Sequence, residues 1–330
     1  MSGVSIAQQS VLHPAGPDAA IITQLIWILF IGGTVLFVGV MALAALSLRR
    51  GQPVRPLYWI VGGGVLLPLV LLSALLVFGT WRTVQLSQPS SQHATKIAVI
   101  GHMWWWEIRY SRPDGGEDVV LANEIRLPVG QPVYLGLSSA DVIHSFWAPA
   151  LAGKVDMIPG RVHGMTLQAD RAGVYRAQCA EYCGEQHARM ALHIVAQPPA
   201  EFQAWLAAQA QAQPASSSSS SSSSLLGADI ERGRRAFVEQ RCSACHTVRG
   251  VDDPALAAPT VRAAAIAAPD LTHFGSRLYL GAGAQPNNRA NLSAWIANPH
   301  VAKPGVRMPA SADMDPATLN ALAAYLESLK

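Results

Sequence analysis

Two long apolar runs open the chain and dominate its pattern. Residues 20–48 carry no charged side chain, and neither do residues 57–81. Each run exceeds the roughly 20 apolar residues that cross about 30 Å of hydrocarbon, and a buried core helix rarely extends so far without a charge. The pattern predicts two transmembrane helices, 20–48 and 57–81, joined by a short loop at 49–56. Arg49, Arg50 and Arg55 sit in that loop, and no Lys or Arg precedes them. Positive-inside bias therefore puts the loop in the cytoplasm, with residues 1–19 and everything after Trp81 on the other side. The lack of a basic region before the first run argues against a cleaved signal peptide.

From Lys96 to Val195 the pattern changes. Short runs rich in β-formers, such as those starting at Lys96, Glu124, Val133 and His193, alternate with Gly, Pro and Asp turns. This spacing predicts an antiparallel sandwich or barrel within residues 82–200, a sensible size for one domain. Residues 199–213 read as helical, and an unbroken run of serines spans Ser216 to Ser224. Serines bury too little apolar area to offset their ordering entropy, so residues 201–226 read as a helical tail and flexible linker; the serine run alone would reach about 15–18 Å. The remainder, 227–330, is a second exported unit with helical patterning at 230–239 and 316–329.

Composition adds little to this pattern. The apolar share is 50% and the excess lies in the two spans, while a net charge of +3 is too small to argue for nucleic acid. Cysteine usage adds a great deal. The four cysteines, Cys179, Cys183, Cys242 and Cys245, fall as two close pairs, so none is left for a structural disulfide.

The first pair belongs to Cys179-Ala-Glu-Tyr-Cys183-Gly-Glu-Gln-His187-Ala-Arg-Met190, with His144 upstream. Thiolate, imidazole and thioether donors select copper, zinc or iron over calcium and magnesium, and the methionine leans the choice toward copper. A mononuclear blue-copper site uses a single cysteine. The second thiol suggests two coppers bridged by two thiolates, a one-electron relay.

The second pair is Cys242-Ser-Ala-Cys245-His246, the pattern that attaches haem c through two thioether bonds with the histidine on iron. A zinc half-site would need a second ligand pair, and His273 and His300 are isolated. A redox dithiol would need a βαβ context, which is absent. For the sixth iron ligand Met308 is the leading candidate and Met314 the rival, since Met314 precedes a helix start at Asp315-Pro316.

With both motifs in place the chain resembles, over nearly its whole length, subunit II of a haem–copper cytochrome c oxidase with a fused cytochrome c, the caa3-type arrangement. The resemblance implies a multidomain membrane protein: a two-helix transmembrane hairpin, an all-β cupredoxin-like domain and an all-α c-type cytochrome domain. It also implies a ligand assignment for binuclear CuA. One copper would take His144 and Met190, the other His187 and the backbone carbonyl of Glu181, with Cys179 and Cys183 bridging both. Trp104, in Gly101-His-Met-Trp-Trp-Trp106, resembles the residue where electrons enter from cytochrome c. The Glu181 carboxylate resembles a ligand to Mg2+ shared with subunit I, and Asp156 an acid near that interface or the docking face. His102 reads as a packing residue.

The implied partners are oxidase subunits I and III, a cytochrome c donor and the lipid bilayer, with no nucleic acid. The implied location is the bacterial inner membrane with both folded domains in the periplasm. The implied role is passage of electrons from haem c through CuA to the haem/CuB centre of subunit I, where O2 is reduced to water with proton translocation. A CuA subunit of a nitric oxide reductase shares the copper loop, and a membrane-anchored copper metallochaperone shares the cysteine spacing. His187 and Met190 argue against the chaperone. A quinol-oxidase subunit II lacks the copper ligands and is excluded by Cys179 and Cys183.

Overall fold

The apolar runs form helices whose side chains face outward on every side. The computed structural model describes residues 8–49, 55–86, 95–112, 114–213, 225–251 and 268–330. Helix α1 spans Pro17–Ser47, with proline in its first turn where no backbone donor is lost. The second span begins as a π-helical stretch, Tyr58–Leu66, and continues as α2, Leu67–Leu86. Phe30, Phe37, Leu69 and Leu76 are all more than half exposed, a surface suited to lipid. The second helix runs past Trp81, where charge-free sequence ends. There the Arg82 guanidinium lies 5.3 Å from the centre of the Trp81 ring and donates to the side chains of Gln85 and of Gln24 on α1. Arg49 and Arg55 flank the loop between the helices; Arg50 lies outside the described residues.

The segment before α1 is bound to the β domain. The Gln8 amide donates to the Val174 carbonyl at 2.9 Å, the Arg176 amide to the Gln8 carbonyl at 3.0 Å, and the Ala15 amide to the Ala150 carbonyl at 2.7 Å. The two ends of the helical hairpin therefore lie on one side.

The β domain comprises β1 (Lys96–His102), β2 (Trp105–Tyr110), β3 (Val119–Ala122), β4 (Glu124–Pro128), β5 (Val133–Ser139), β6 (His144–Trp147), β7 (Lys154–Met157), β8 (His163–Leu167), β9 (Gly173–Cys179) and β10 (Ala191–Gln197). They form two five-stranded sheets, β3-β2-β1-β5-β8 and β4-β10-β9-β6-β7. The expectation of an antiparallel sandwich or barrel is met by a two-sheet sandwich and corrected in its pairing. Strands β1 and β5 pair in parallel, as do β4 and β10, because each pair joins strands distant in sequence by a crossover. Inward positions Val99, Ile108 and Leu135 of one sheet meet Ile125, Phe146, Tyr175 and Ile194 of the other, all at most 1% exposed. Helix α3, Pro199–Gln209, seals one end with Phe202, whose ring lies 6.3 Å from that of Tyr110. The helix stops at Gln209, short of the expected 213, and the serine run lies outside the described residues.

The C-terminal unit contains α4 (Leu225–Glu239), a two-stranded ribbon of β11 (Tyr279–Leu280) and β12 (Gln285–Pro286), α5 (Arg289–Ala297), the single turn α6 (Pro299–Ala302) and α7 (Pro316–Ser328). Asp315 caps α7, its carboxylate accepting from the Ala317 and Thr318 amides. Met314 just before that cap and Leu319 after it both pack on the unit's core, the pattern of a hydrophobic staple. Phe237 on α4 meets Tyr325 on α7, ring centres 5.9 Å apart. The two helices approach so closely at Gly233 that a Cβ there would lie 2.0 Å from the Ala321 carbonyl oxygen. Gly233→Ala is therefore expected to destabilise this unit by about 1–3 kcal/mol through overpacking. Denaturant unfolding of the full chain measures it, and an unchanged midpoint for the unit would contradict the close crossing.

The architecture is thus two apolar helices, a cupredoxin-like β domain and a helical cytochrome c-like domain, in that order.

Candidate metal centre

The loop after β9 folds so that soft donors converge below a buried histidine. His144 opens β6 and is fully buried; Cys179 ends β9; His187 opens a 3-10 turn, His187–Arg189; Met190, also fully buried, precedes β10. Three backbone bonds hold the loop closed. The Cys179 amide donates to the Met190 carbonyl at 2.9 Å, the Ala180 amide to the Ser145 carbonyl at 2.9 Å, and the His187 amide to the Gly184 carbonyl at 3.1 Å.

The resulting geometry brings six expected donors together. The Cys179 and Cys183 sulfurs are 3.8 Å apart. His144 Nδ1 stands 3.8 Å from the Cys179 sulfur, and His187 Nδ1 stands 3.8 Å from that of Cys183. The Met190 sulfur is 3.8 Å from Cys183 and the Glu181 carbonyl oxygen 3.1 Å from Cys179. His144, Cys179 and Cys183 place their ligand atoms within 4.8 Å of one another. Of Glu181, only the carbonyl joins the set; its half-buried side chain is not part of that cluster.

One contributor was not singled out from sequence. His144 Nε2 lies 2.8 Å from an Asp141 carboxylate oxygen, which can only accept; the proton is therefore on Nε2 and the Nδ1 lone pair faces the sulfurs. Burial works to raise the Asp141 pKa, but bonds from His144 and from the Val142 and Met103 amides outweigh it and hold the carboxyl below its ordinary range. Burial likewise works to lower His144, and its bonds to Cys179 and Asp141 outweigh that and raise it. The hydrogen bond with Cys183 pulls the Cys179 thiol below its ordinary range against burial, with His144 assisting. The same bond, with burial, pushes Cys183 up. The neighbours of Cys179 thus work toward the anionic sulfur that a soft metal ion takes as ligand. The type of donor and its convergence fit copper, and the fully buried Met190 and His144 keep water from the inner wall. Asp141→Ala is expected to weaken metal retention on the order of 10–100-fold, as loss of an outer partner to a ligating histidine does. Competition with a chelator measures it, and unchanged retention would contradict the role of Asp141.

Trp104 sits against this loop. Its indole N–H donates to the Cys183 carbonyl at 2.9 Å. Gly184 makes the approach feasible: its φ is +111°, and a Cβ there would lie 3.0 Å from the indole ring. Trp106 is buried in the β core, whereas His102 and Trp105 stack at 4.4 Å, with His102 bonded to Glu107, in keeping with packing roles. Asp156 is exposed on β7.

In the C-terminal unit, Cys242, Cys245 and His246 come together on one turn, the Cys245 and His246 amides both donating to the Cys242 carbonyl. Both thiols are free; Cys242 is half-buried and Cys245 exposed. His246 Nδ1 donates to the Pro269 carbonyl at 2.8 Å, which leaves Nε2 with a lone pair and no competing proton. Two free thiols and an oriented imidazole are what covalent haem attachment requires. Met308 is half-buried in the loop between α6 and α7.

Comparison with known proteins agrees with both halves. The family model for the periplasmic domain of cytochrome c oxidase subunit II matches residues 113–197, and that for cytochrome c matches residues 230–330. Cytochrome c oxidase subunit 2 of Alkalihalophilus pseudofirmus is 36% identical over 242 residues, covering 71% of this chain and 61% of that protein. The Bacillus subtilis counterpart is 31% identical over 280 residues, covering 80% of this chain and 72% of its own length. A crystal structure of the periplasmic domain of subunit II of cytochrome oxidase from Bradyrhizobium japonicum is 30% identical, covers 36% of this chain and 95% of that one, and has a TM-score of 0.34.

Proposed function

The chain belongs to the cytochrome c oxidase subunit II family, and from that premise we propose that it is the electron-transfer subunit of a caa3-type haem–copper oxidase. The observation that carries the proposal is the convergence of His144, Cys179, Cys183, His187, Met190 and the Glu181 carbonyl on one buried point. These residues would hold binuclear CuA. Cys242 and Cys245 would hold haem c by thioether bonds, and His246 and Met308 would serve as ligands to its iron. Met314, taken up by the staple before α7, is thereby less suited than Met308. Both groups, when bound, supply one-electron redox chemistry in which no bond is made or broken.

The residues contribute orientation and connection. Asp141 sets the His144 tautomer, and the closed loop after β9 holds Cys183 beside Cys179 at the end of a sheet strand, so the donors need not move as charge changes. Trp104 extends from the surface to the Cys183 carbonyl, which makes it the connection by which electrons enter. The Glu181 carboxylate, outside the donor cluster, is left to bind Mg2+ at the boundary with subunit I.

Subunits I and III, a cytochrome c donor and a periplasmic setting complete the proposal. The basic loop between the spans and the binding of the segment before α1 to the β domain support that orientation. Isolation of the membrane complex through a tag on this chain tests the function. The expected result is cytochrome c oxidation in step with O2 consumption. Nitric oxide consumption without O2 reduction would assign the chain to the rival enzyme.

A further inference from the structure

The cytochrome unit meets the β domain at Trp104, and a buried lysine stands at that junction. Lys303 follows α6 and is only 1% exposed. Its Nζ donates to the Trp104 carbonyl at 2.7 Å and to the Gly281 carbonyl of the cytochrome unit at 3.1 Å. Burial pushes its pKa down to about 7, with Cys183 opposing that shift and Arg189 adding to it. Leaving an ammonium in such a place is costly unless its donors are satisfied, so a loop lysine placed there by chance would turn toward water.

The contacts around it are equally directional. Arg189 donates to the Ala302 carbonyl at 2.8 Å, and the Ala191 amide to the Ala282 carbonyl at 3.1 Å. The Leu278 amide donates to the Glu124 carboxylate at 2.9 Å. The Arg126 guanidinium reaches the Ser276 carbonyl at 3.3 Å, and the His193 ring stacks on Tyr279 with centres 3.9 Å apart. Most of these pair a side chain of the β domain with backbone of the cytochrome unit. Backbone partners occupy fixed positions, so together they accept one orientation and not a family of them.

We propose that Lys303 is a positioning residue that locks the cytochrome unit in one docked orientation on Trp104, so that the donor half of the proposed relay is held in one fixed place against the copper loop. The inference rests on the electron-transfer reading above for its purpose, but not for its geometry. In the locked form, the Lys303 ammonium joins the backbone of Gly281 to that of Trp104, whose indole in turn holds Cys183.

Hydrogen–deuterium exchange on the full chain, purified with copper and haem, tests this at two amides that bond across the junction, Ala191 and Leu278. Lys303→Met keeps the length of the side chain and removes its donors. The expected result is exchange faster by on the order of tenfold to a hundredfold at both amides, with α4 and α7 unchanged and copper and haem at full content. Wild-type protection is expected to survive a rise in salt from about 0.05 to 0.5 M, since the bonds are buried. Unchanged protection in Lys303→Met overturns the role of the lysine, and absence of protection in the wild type overturns the fixed dock. If Lys303→Met fails to fold, Tyr279→Ser, which removes the stack on His193 from a half-buried position, is expected to speed exchange at the same amides; no change there is equally fatal. Failure of the purified chain to hold copper or haem would overturn the electron-transfer reading instead.

Discussion

Cys179→Ser is expected to empty the β domain of copper while leaving the domain folded. The Cys179 sulfur touches three other members of the donor set, His144, Glu181 and Cys183, more than any partner but Cys183 itself. A hydroxyl at that position is a hard, protonated donor that neither bridges soft metal ions nor supplies the thiolate the pocket favours. The loss should exceed the roughly 10–100-fold expected from an outer partner such as Asp141. The fold should survive, because serine is close to cysteine in size and its hydroxyl finds the Glu181 carbonyl already within 3.1 Å of the sulfur it replaces. Copper per chain after dialysis, with a thermal melt on the same sample, gives the answer. Two coppers retained by a well-folded Cys179→Ser chain would contradict bridging by this residue.

The second large effect concerns the other pair. Replacing both Cys242 and Cys245 with alanine is expected to abolish covalent haem and leave copper binding intact. Each thiol can form one thioether bond, and His246 alone offers a single exchangeable bond to iron. The two sites do not share a ligand, and each sits on its own core, so the copper spectrum should be that of the parent chain. Haem staining on a denaturing gel reads the covalent link directly. Stain that persists in the double variant would contradict attachment at this turn.

Much of this was legible in the sequence because the chemistry is local. Charge-free runs identify the two spans, and the loop from Cys179 to Met190 carries five of the six donors within twelve residues. The two-cysteine turn with His246 is shorter still. What escaped notice depends on contacts between distant segments. Period-2 alternation tells which face of a strand is buried but not which strand lies beside it, so the parallel pairing of β1 with β5 was invisible. Asp141 carries no motif of its own; its role required the direction of the imidazole ring. Lys303 reads as an ordinary surface charge in a Pro/Gly-rich loop, and the carbonyls that hold it, of Gly281 and of Trp104 199 residues away, are not adjacent to it in sequence. The second helix outruns its charge-free stretch, running through Arg82 to Leu86. Arginine there ends the apolar text without ending the helix.

The central claim is that two metal ions share the two thiolates of the loop after β9. An electron paramagnetic resonance spectrum of the purified, oxidised chain, with copper and iron quantified on the same sample, tests it most directly. One unpaired electron shared by two equivalent copper nuclei gives a seven-line hyperfine pattern, and the expected content is two coppers and one iron per chain. A four-line pattern with one copper per chain would mean that the electron resides on a single ion, and would replace the relay with a mononuclear or carrier site.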